Sequence, residues 1–330
     1  MGRSGLLLSE LSNAQYQSAV KKSELNIEFG LISVNVNSSF SQVTKTISEL
    51  YRDYNVTLSS DWFDFNVSVV KPSNFRRFFR SQAVFKLDGH IPFKPLPSAH
   101  AYPLFEWGMN WCVANFYHRY LIFHAAVLEK NGKAVIFPAP PGSGKSTLCA
   151  YLALSGWRLL SDEMAVLDIE TGNVLPFVRP ICLKNNSIRL VEDWFPEAFI
   201  SDVATDTQKG DVAHVRPPTD SVRRCGEGAK LFAIVFPQFK AGSTTEIFSM
   251  TQMNTLKMLV ENAFNFDLFG HEGFEFISRK LPDLLLLEAT YSNVDDLRTV
   301  LESEVQDSVS QCTIDLDRYS NRTLPLFTFY

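Results

Sequence analysis

Cysteine is scarce and scattered in this chain. Its five thiols, Cys112, Cys149, Cys182, Cys225 and Cys312, never fall in a C-x-x-C pair. An odd count without paired spacing suggests neither a disulfide framework nor a cysteine zinc site, and fits a reducing compartment. Long apolar runs are missing too. Leu6, Leu7 and Leu8 are too short a run for a signal peptide, and no stretch approaches the roughly 20 apolar residues that cross a bilayer. Leu6 also stands where a myristoylated chain carries Ser or Thr. A soluble, cytoplasmic protein is expected. Excess positive charge is lacking as well: the formal net charge is −5, which argues against a general nucleic-acid binder. The cluster Arg76, Arg77 and Arg80 is interleaved with Phe78 and Phe79 and reads as a strand edge or a solvated face. Internal repeats and low-complexity tracts are absent.

What is present is enough apolar material for a core. The 330 residues are 45% hydrophobic and 20% charged, room for two modest domains or one large one. Runs at Leu25 to Val36, Asp64 to Val70 and Ala83 to Leu87 read as strands, with a helix over Ser41 to Tyr54. The segment HIPFKPLPSAHAYP holds four prolines in fourteen residues, which disfavours regular structure and marks a domain junction near residue 100. Beyond it, Leu104 to Tyr117 reads as an aromatic-rich helix and Leu121 to Leu128 as a strand. Asn131-Gly132 is a two-residue hairpin turn, because both positions need positive φ. A second strand, Lys133 to Phe137, runs into a glycine-rich loop. The helix Ser146 to Leu154 follows, stopped by Gly156, and then the strand Trp157 to Leu160. Further strands are expected at Ala165 to Ile169, Leu231 to Phe236 and Leu284 to Glu288, and helices at Met253 to Asn262 and Val294 to Glu302. The chain is therefore α/β, and a hairpin feeding the loop implies a mixed sheet.

The loop, FPAPPGSGKSTL, carries the chemistry. Consecutive backbone N–H groups of Gly142, Ser143, Gly144, Lys145, Ser146 and Thr147 would form a concave nest at a helix N-terminus, where phosphate binds. Lys145 would reach the β- and γ-phosphates and the Ser146 hydroxyl would ligate Mg²⁺. Ala139 replaces the first glycine of the usual pattern, and Pro140 and Pro141 stiffen the approach. The plain alternative is a Gly-Ser turn that merely opens a helix. Asp162 and Glu163 come at the C-terminal end of the next strand, where one carboxylate would hold the metal and the other accept a proton; a solvated acidic turn is the alternative. Glu288, ending LLLLE, is a weaker acidic candidate, equally explained as a surface acid after a buried strand. In the hairpin strand, Ile122, His124 and Ala126 share one face, and Phe123, Ala125 and Val127 the other. By periodicity, His124 is a core or edge residue as readily as a site residue.

Taken together, FHAAVLEKNGKAVIFPAPPGSGKST followed by GWRLLSDE resembles the HPr kinase/phosphorylase family, and more narrowly the HPr-kinase-related kinase A subgroup. The resemblance covers about residues 100 to 300. It implies a mixed-sheet P-loop kinase domain over residues 101–330, of the type shared with ATP-dependent phosphoenolpyruvate carboxykinase. A smaller α+β domain, of unassigned role, would cover residues 1–100. It implies ATP and Mg²⁺ as cofactors and phosphoryl transfer to a hydroxyl, that of serine first, of a protein, peptide or small-molecule acceptor. Asp162 would be the general base, Glu163 an acid of the metal sphere, and His124 a helper near the transferred group. Lys145 and Ser146 would hold phosphate and metal. Segments RPICLKN and KGDVAHVRPP add Arg179, Lys184, Lys209 and Arg216 as basic groups for the γ-phosphate or an acidic substrate, with Arg179 the foremost. Related kinases often assemble into oligomers, so a homo-oligomer is implied, without a legible interface. Two departures stand out: Ala139, and Val178-Arg179-Pro180 where HPr kinases proper carry Glu-Arg-Gly. They motivate one alternative, a nucleotide-gated binding module without phosphotransfer, and count against metal binding at that segment and against the reverse, phosphate-releasing reaction. A phosphoserine phosphohydrolase of the same fold is a third alternative.

Overall fold

The computed structural model describes residues 5–60, 62–72, 81–140 and 142–307. The Arg76, Arg77 and Arg80 cluster, Pro141 and Cys312 lie outside the described residues. In the first hundred residues the strands are β1 (Leu6–Leu7), β2 (Leu25–Glu28), β3 (Ser33–Ser38), β4 (Asn55–Leu58), β5 (Phe65–Val70), β6 (Gln82–Leu87) and β7 (Leu96–Pro97). They form a mixed sheet in the order β1-β4-β2-β3-β5-β6-β7, with only β3 and β5 parallel. Helices α1 (Asn13–Lys22), α2 (Ser41–Leu50) and α3 (Ala101–Phe116) pack against it. Helix α1 starts where Ser12 and Gln15 cap each other and stops at Ser23, which turns left-handed at φ 58°.

Two expectations are corrected here. The run Leu25 to Val36 is not one strand but the antiparallel pair β2 and β3, turned at Gly30 with φ 78°. A Cβ on Gly30 would lie 2.1 Å from the Cys225 carbonyl oxygen, so the close approach requires glycine. The proline-rich segment is partly regular: it holds β7, a 3₁₀ turn at Ser98–His100, and the first turn of α3, where Pro103 is tolerated because that turn's N–H groups have no helical partner.

The remaining strands are β8 (Leu121–Lys130), β9 (Lys133–Pro138), β10 (Arg158–Ser161), β11 (Met164–Leu167), β12 (Asn173–Leu175), β13 (Ile181–Lys184), β14 (Ala204–Thr207), β15 (Gly210–Val215), β16 (Ala229–Phe239), β17 (Glu246–Ser249) and β18 (Leu285–Tyr291). The helices are α4 (Lys145–Leu154), α5 (Asn186–Trp194), α6 (Thr219–Arg223), α7 (Gln252–Glu261), α8 (Phe266–Lys280, kinked at Gly270) and α9 (Val294–Asp307). Strands β9, β16 and β18 are parallel, while β8 and β17 flank them antiparallel. The sheet is mixed, as the hairpin implied. Strand β8 also pairs with β11, β11 with β12, and β12 with β16, so five strands close into a ring. Strands β13, β15 and β14 make a separate small sheet.

The alternation read in β8 is the one that packs. Phe123, Ala125 and Val127 join a core with Ile136, Leu259 and Ile277, while Ile122, Ala126 and Leu128 join the larger core on the other face. That larger core runs continuously from Tyr54 and Phe29 through Phe177 to Leu297, so both halves of the chain share buried apolar surface. Among the described residues no helix is long and apolar enough to cross a membrane.

Candidate functional site

The tight turn at Asn131 (φ 55°) and Gly132 (φ 79°) sets β9 against β8, with Lys130 opposite Lys133 and Ala125 opposite Pro138. Strand β9 therefore ends beside His124. Ala139 follows, buried at 2% exposure, so a small side chain is what this position accommodates. Gly142 (φ 89°) and Gly144 (φ 87°) then take left-handed conformations that favour glycine. A Cβ on Gly144 would stand 3.1 Å from Phe239 Cβ, and Phe239 N–H donates to the Ser143 carbonyl at 3.2 Å, so β16 braces the loop. Helix α4 opens at Lys145 with no side-chain cap, leaving a helix N-terminus whose first N–H groups are met by no side chain.

The two carboxylates come just after β10 ends at Ser161, in the bend before β11. Leu159 opposes Leu128 and Ser161 opposes Val127, so Leu160 is an extra residue in β10 and the pairing resumes at Met164 opposite His124. Successive strand residues ordinarily face opposite ways, but a bulge followed by a bend re-aims them. Glu163 Oε2 lies 3.2 Å from His124 Nε2. Asp162 Oδ2 accepts from the Cys182 N–H at 3.0 Å, and its Oδ1 is buried without a partner. Lys145 Nζ lies 2.9 Å from the same His124 Nε2. One imidazole nitrogen serves only one of these neighbours at a time: unprotonated it accepts from Lys145, protonated it donates to Glu163.

Burial lowers the Lys145 pKa against the pull of Glu163 and Asp162. Burial and then Glu163 raise the Asp162 pKa, opposed by Lys145 and the Cys182 N–H. Burial would raise Glu163 too, but the His124 hydrogen bond with Lys145 and Lys184 overcomes it, and its carboxyl is held well below the usual range. Lys184 is raised: burial opposes, while Cys182, Glu163 and Asp162 favour its charge.

A cleft of about 650 Å³ opens beside this cluster, lined among others by Trp107, Asn110, His124, Glu163, Lys209 and Phe264. A smaller one of about 250 Å³, at Leu8, Glu49 and Arg52, contains none of these groups. Glu163 thus faces the cleft, whereas Asp162 is only 4% exposed behind it.

No protein-family model matches the chain, and no curated protein matches it significantly.

The structure brings together His124, Lys145, Asp162 and Glu163 at the loop, with Lys184 in their field. It places Arg179 elsewhere, against the expectation of direct action. That side chain is buried, donates to Glu106 Oε2 at 2.6 Å and to Asn110 Oδ1 at 2.8 Å, and stacks over Phe177. Arg216 bonds the Glu49 carbonyl at 2.8 Å and covers Phe199, away from the loop. Glu288 does not end its strand but lies exposed within β18, opposite Phe236 and Phe248. Trp107 and Asn110 went unseen in the sequence because α3 is apolar almost all round and shows no polar stripe. Among the described residues no cluster of three or more His, Cys, Asp or Glu side chains forms a metal centre. The donor set fits Mg²⁺ nonetheless: that ion keeps waters and takes only one or two carboxylates with phosphate oxygens, and Asp162 Oδ1 is an orphaned buried acceptor.

Proposed function

We propose that the chain is an ATP- and Mg²⁺-dependent kinase transferring the γ-phosphoryl group to a hydroxyl acceptor, on a mixed-sheet P-loop kinase fold. The observation that carries this reading is the convergence on β8: His124 stands between the loop lysine and Glu163, at the edge of a cleft large enough for an acceptor. Nucleotide phosphates would lie on the N–H groups of Gly142 to Thr147 and draw Lys145 off His124. The Ser146 hydroxyl and Asp162 would hold Mg²⁺, which when bound neutralises phosphate charge.

Access divides the two acids differently from the sequence expectation. Reach comes before basicity in choosing a general base, and Glu163 is the acid on the cleft wall. Its low proton affinity is partly the work of Lys145, so moving that ammonium to the phosphates raises it. Glu163 therefore takes the acceptor's proton, and Asp162 serves the loop side.

The test is transfer from γ-labelled ATP to components of a cell lysate, with nucleotide affinity measured in parallel. Lys145→Ala should abolish labelling; undiminished labelling ends the proposal. Glu163→Gln should lose about a hundredfold or more in rate while keeping nucleotide affinity. Asp162→Asn should instead weaken Mg·ATP binding, and the opposite pattern returns the base role to Asp162.

The Lys145–His124 contact also favours a second reading, a nucleotide-gated binding module. Withdrawing Lys145 would rearrange the cleft wall without chemistry. On that reading no acceptor becomes labelled, and nucleotide alone changes partner affinity.

A further inference from the structure

One wall of the cleft carries donors that have no acceptor among the described residues. Trp107 and Asn110 lie three residues apart on α3, so they share a face, and both line the cleft. Arg179 Nη1 donates to Asn110 Oδ1 at 2.8 Å. A guanidinium has no acceptor atom, so this bond fixes which end of the amide is oxygen and leaves the Nδ2 donors directed away from it. Among the described residues Nδ2 has no acceptor. Lys209, in the turn between β14 and β15, holds its Nζ 5.3 Å from the Trp107 ring centre, with no carboxylate at ion-pair distance among the described residues. The Trp107 indole N–H beneath is buried and also without an acceptor. Arg179 is thus a positioning residue: anchored on Glu106, it holds Asn110 in a donor-presenting pose.

We propose that this wall binds the anionic group, carboxylate or phosphate, of a small hydroxylated acceptor whose hydroxyl faces Glu163. The hydroxyl's role rests on the kinase reading; the anion site does not. Two donor types line the same cleft, an ammonium and an amide NH₂ both without an acceptor among the described residues, and together they match an anion's oxygens. Six separate parts of the chain line the cleft: α3, β8, the loop at Pro140, the bend at Glu163, the β14–β15 turn and the Glu261 to Phe264 segment. A concave site lined from six directions, with a volume inside the roughly 300–1,000 Å³ of small-molecule sites, fits a small acceptor. In the transfer, the bond from the γ-phosphorus to the ADP oxygen breaks, a bond to the acceptor oxygen forms, and the hydroxyl proton passes to Glu163.

The experiment uses the full chain with Mg²⁺ and a non-hydrolysable ATP analogue, and titrates glycerol, glycerate and glycerol phosphate by calorimetry. Transfer from ATP to each is followed alongside. One of the anions should bind at least about tenfold tighter than glycerol, the scale of a charge-assisted hydrogen bond, and the comparison tells carboxylate from phosphate. Lys209→Gln, at an exposed position, should erase the preference, and Asn110→Asp should reverse it. Equal binding of glycerol and both anions, no binding of either anion, stronger binding of a neutral serine peptide, or a preference surviving Lys209→Gln overturns the proposal. A Lys209-dependent anion preference without any phosphoryl transfer upholds the anion site and removes the kinase reading. Transfer to neutral acceptors with no anion preference does the reverse.

Discussion

His214 offers a quantitative test of the buried network behind the cleft. It sits in β15 opposite Cys182, packs edge-on to the Tyr102 ring at 5.1 Å, and leaves Nε2 buried without a partner. Burial pushes its pKa from 6.5 down to about 4; Glu106 and Glu163 pull it up, while Arg179 and Lys184 push it down. The folded protein therefore keeps this imidazole neutral where the unfolded chain would charge it. Between pH 6.5 and about 4 the unfolded state binds more protons, so stability must fall as pH falls through that window. Each pH unit of the gap is worth about 1.4 kcal/mol, giving about 3 kcal/mol in full and about 2 kcal/mol by about pH 5.

The perturbation is His214→Gln, which cannot titrate. Urea denaturation of both proteins at pH 7.5 and pH 5 gives the assay. Acids such as Glu163 and Asp162 titrate in both proteins and cancel in the comparison, so the slope difference belongs to His214. The wild type should lose about 2 kcal/mol more than the variant on acidification. Equal losses, to within about 0.5 kcal/mol, would refute the claim that this histidine is buried neutral.

Three further outcomes follow from the packing. Glu106 accepts from Arg179 and from the Tyr51 and Tyr102 hydroxyls, so Glu106→Ala, which strands a buried guanidinium, should cost about 3–5 kcal/mol. The double variant Glu106→Leu with Arg179→Met should recover most of that loss in the same denaturation assay. A Cβ on Gly108 would lie 2.0 Å from Phe85 Cε2, so Gly108→Ala should destabilise by about 1–3 kcal/mol, and adding Phe85→Leu should return part of it. Gly144→Ala forces a side chain into left-handed backbone, which should cost about 1–2 kcal/mol in stability and weaken ATP binding seen by calorimetry; no change in either measurement contradicts the loop geometry.

Local pattern made much of this legible. The faces of β8, the Asn131-Gly132 turn and the loop's place between β9 and α4 all depend on neighbours within a few residues, where periodicity and turn chemistry act. What escaped depends on distant partners. Gly30 breaks a strand-like run to approach Cys225, nearly the length of a domain away in sequence. Arg179 looked like a free cation because Glu106 lies 73 residues earlier. Alternation sets Asp162 and Glu163 apart, but which of them reaches the cleft depends on distant elements: Glu163 lines it while Asp162 is buried behind, bonded to the Cys182 N–H. Helix α8 was missed because Gly270 and Gly273 interrupt its apolar pattern, Gly270 taking φ 49° at the kink.

Strand β8 gauges two distances at once. One edge pairs with the strand that ends at the loop, the other with β10 and β11, whose connecting bend carries both acids, and His124 sits opposite Met164, next to the last residue paired with β9. A single residue gained or lost between His124 and Lys130 would shift both ladders together and turn the histidine towards the opposite core. Across descendants of this sequence, the length of the hairpin should be held as tightly as the volumes of its buried side chains. Insertions there should collect at the Asn131-Gly132 tip, the one place where an extra residue leaves both registers intact.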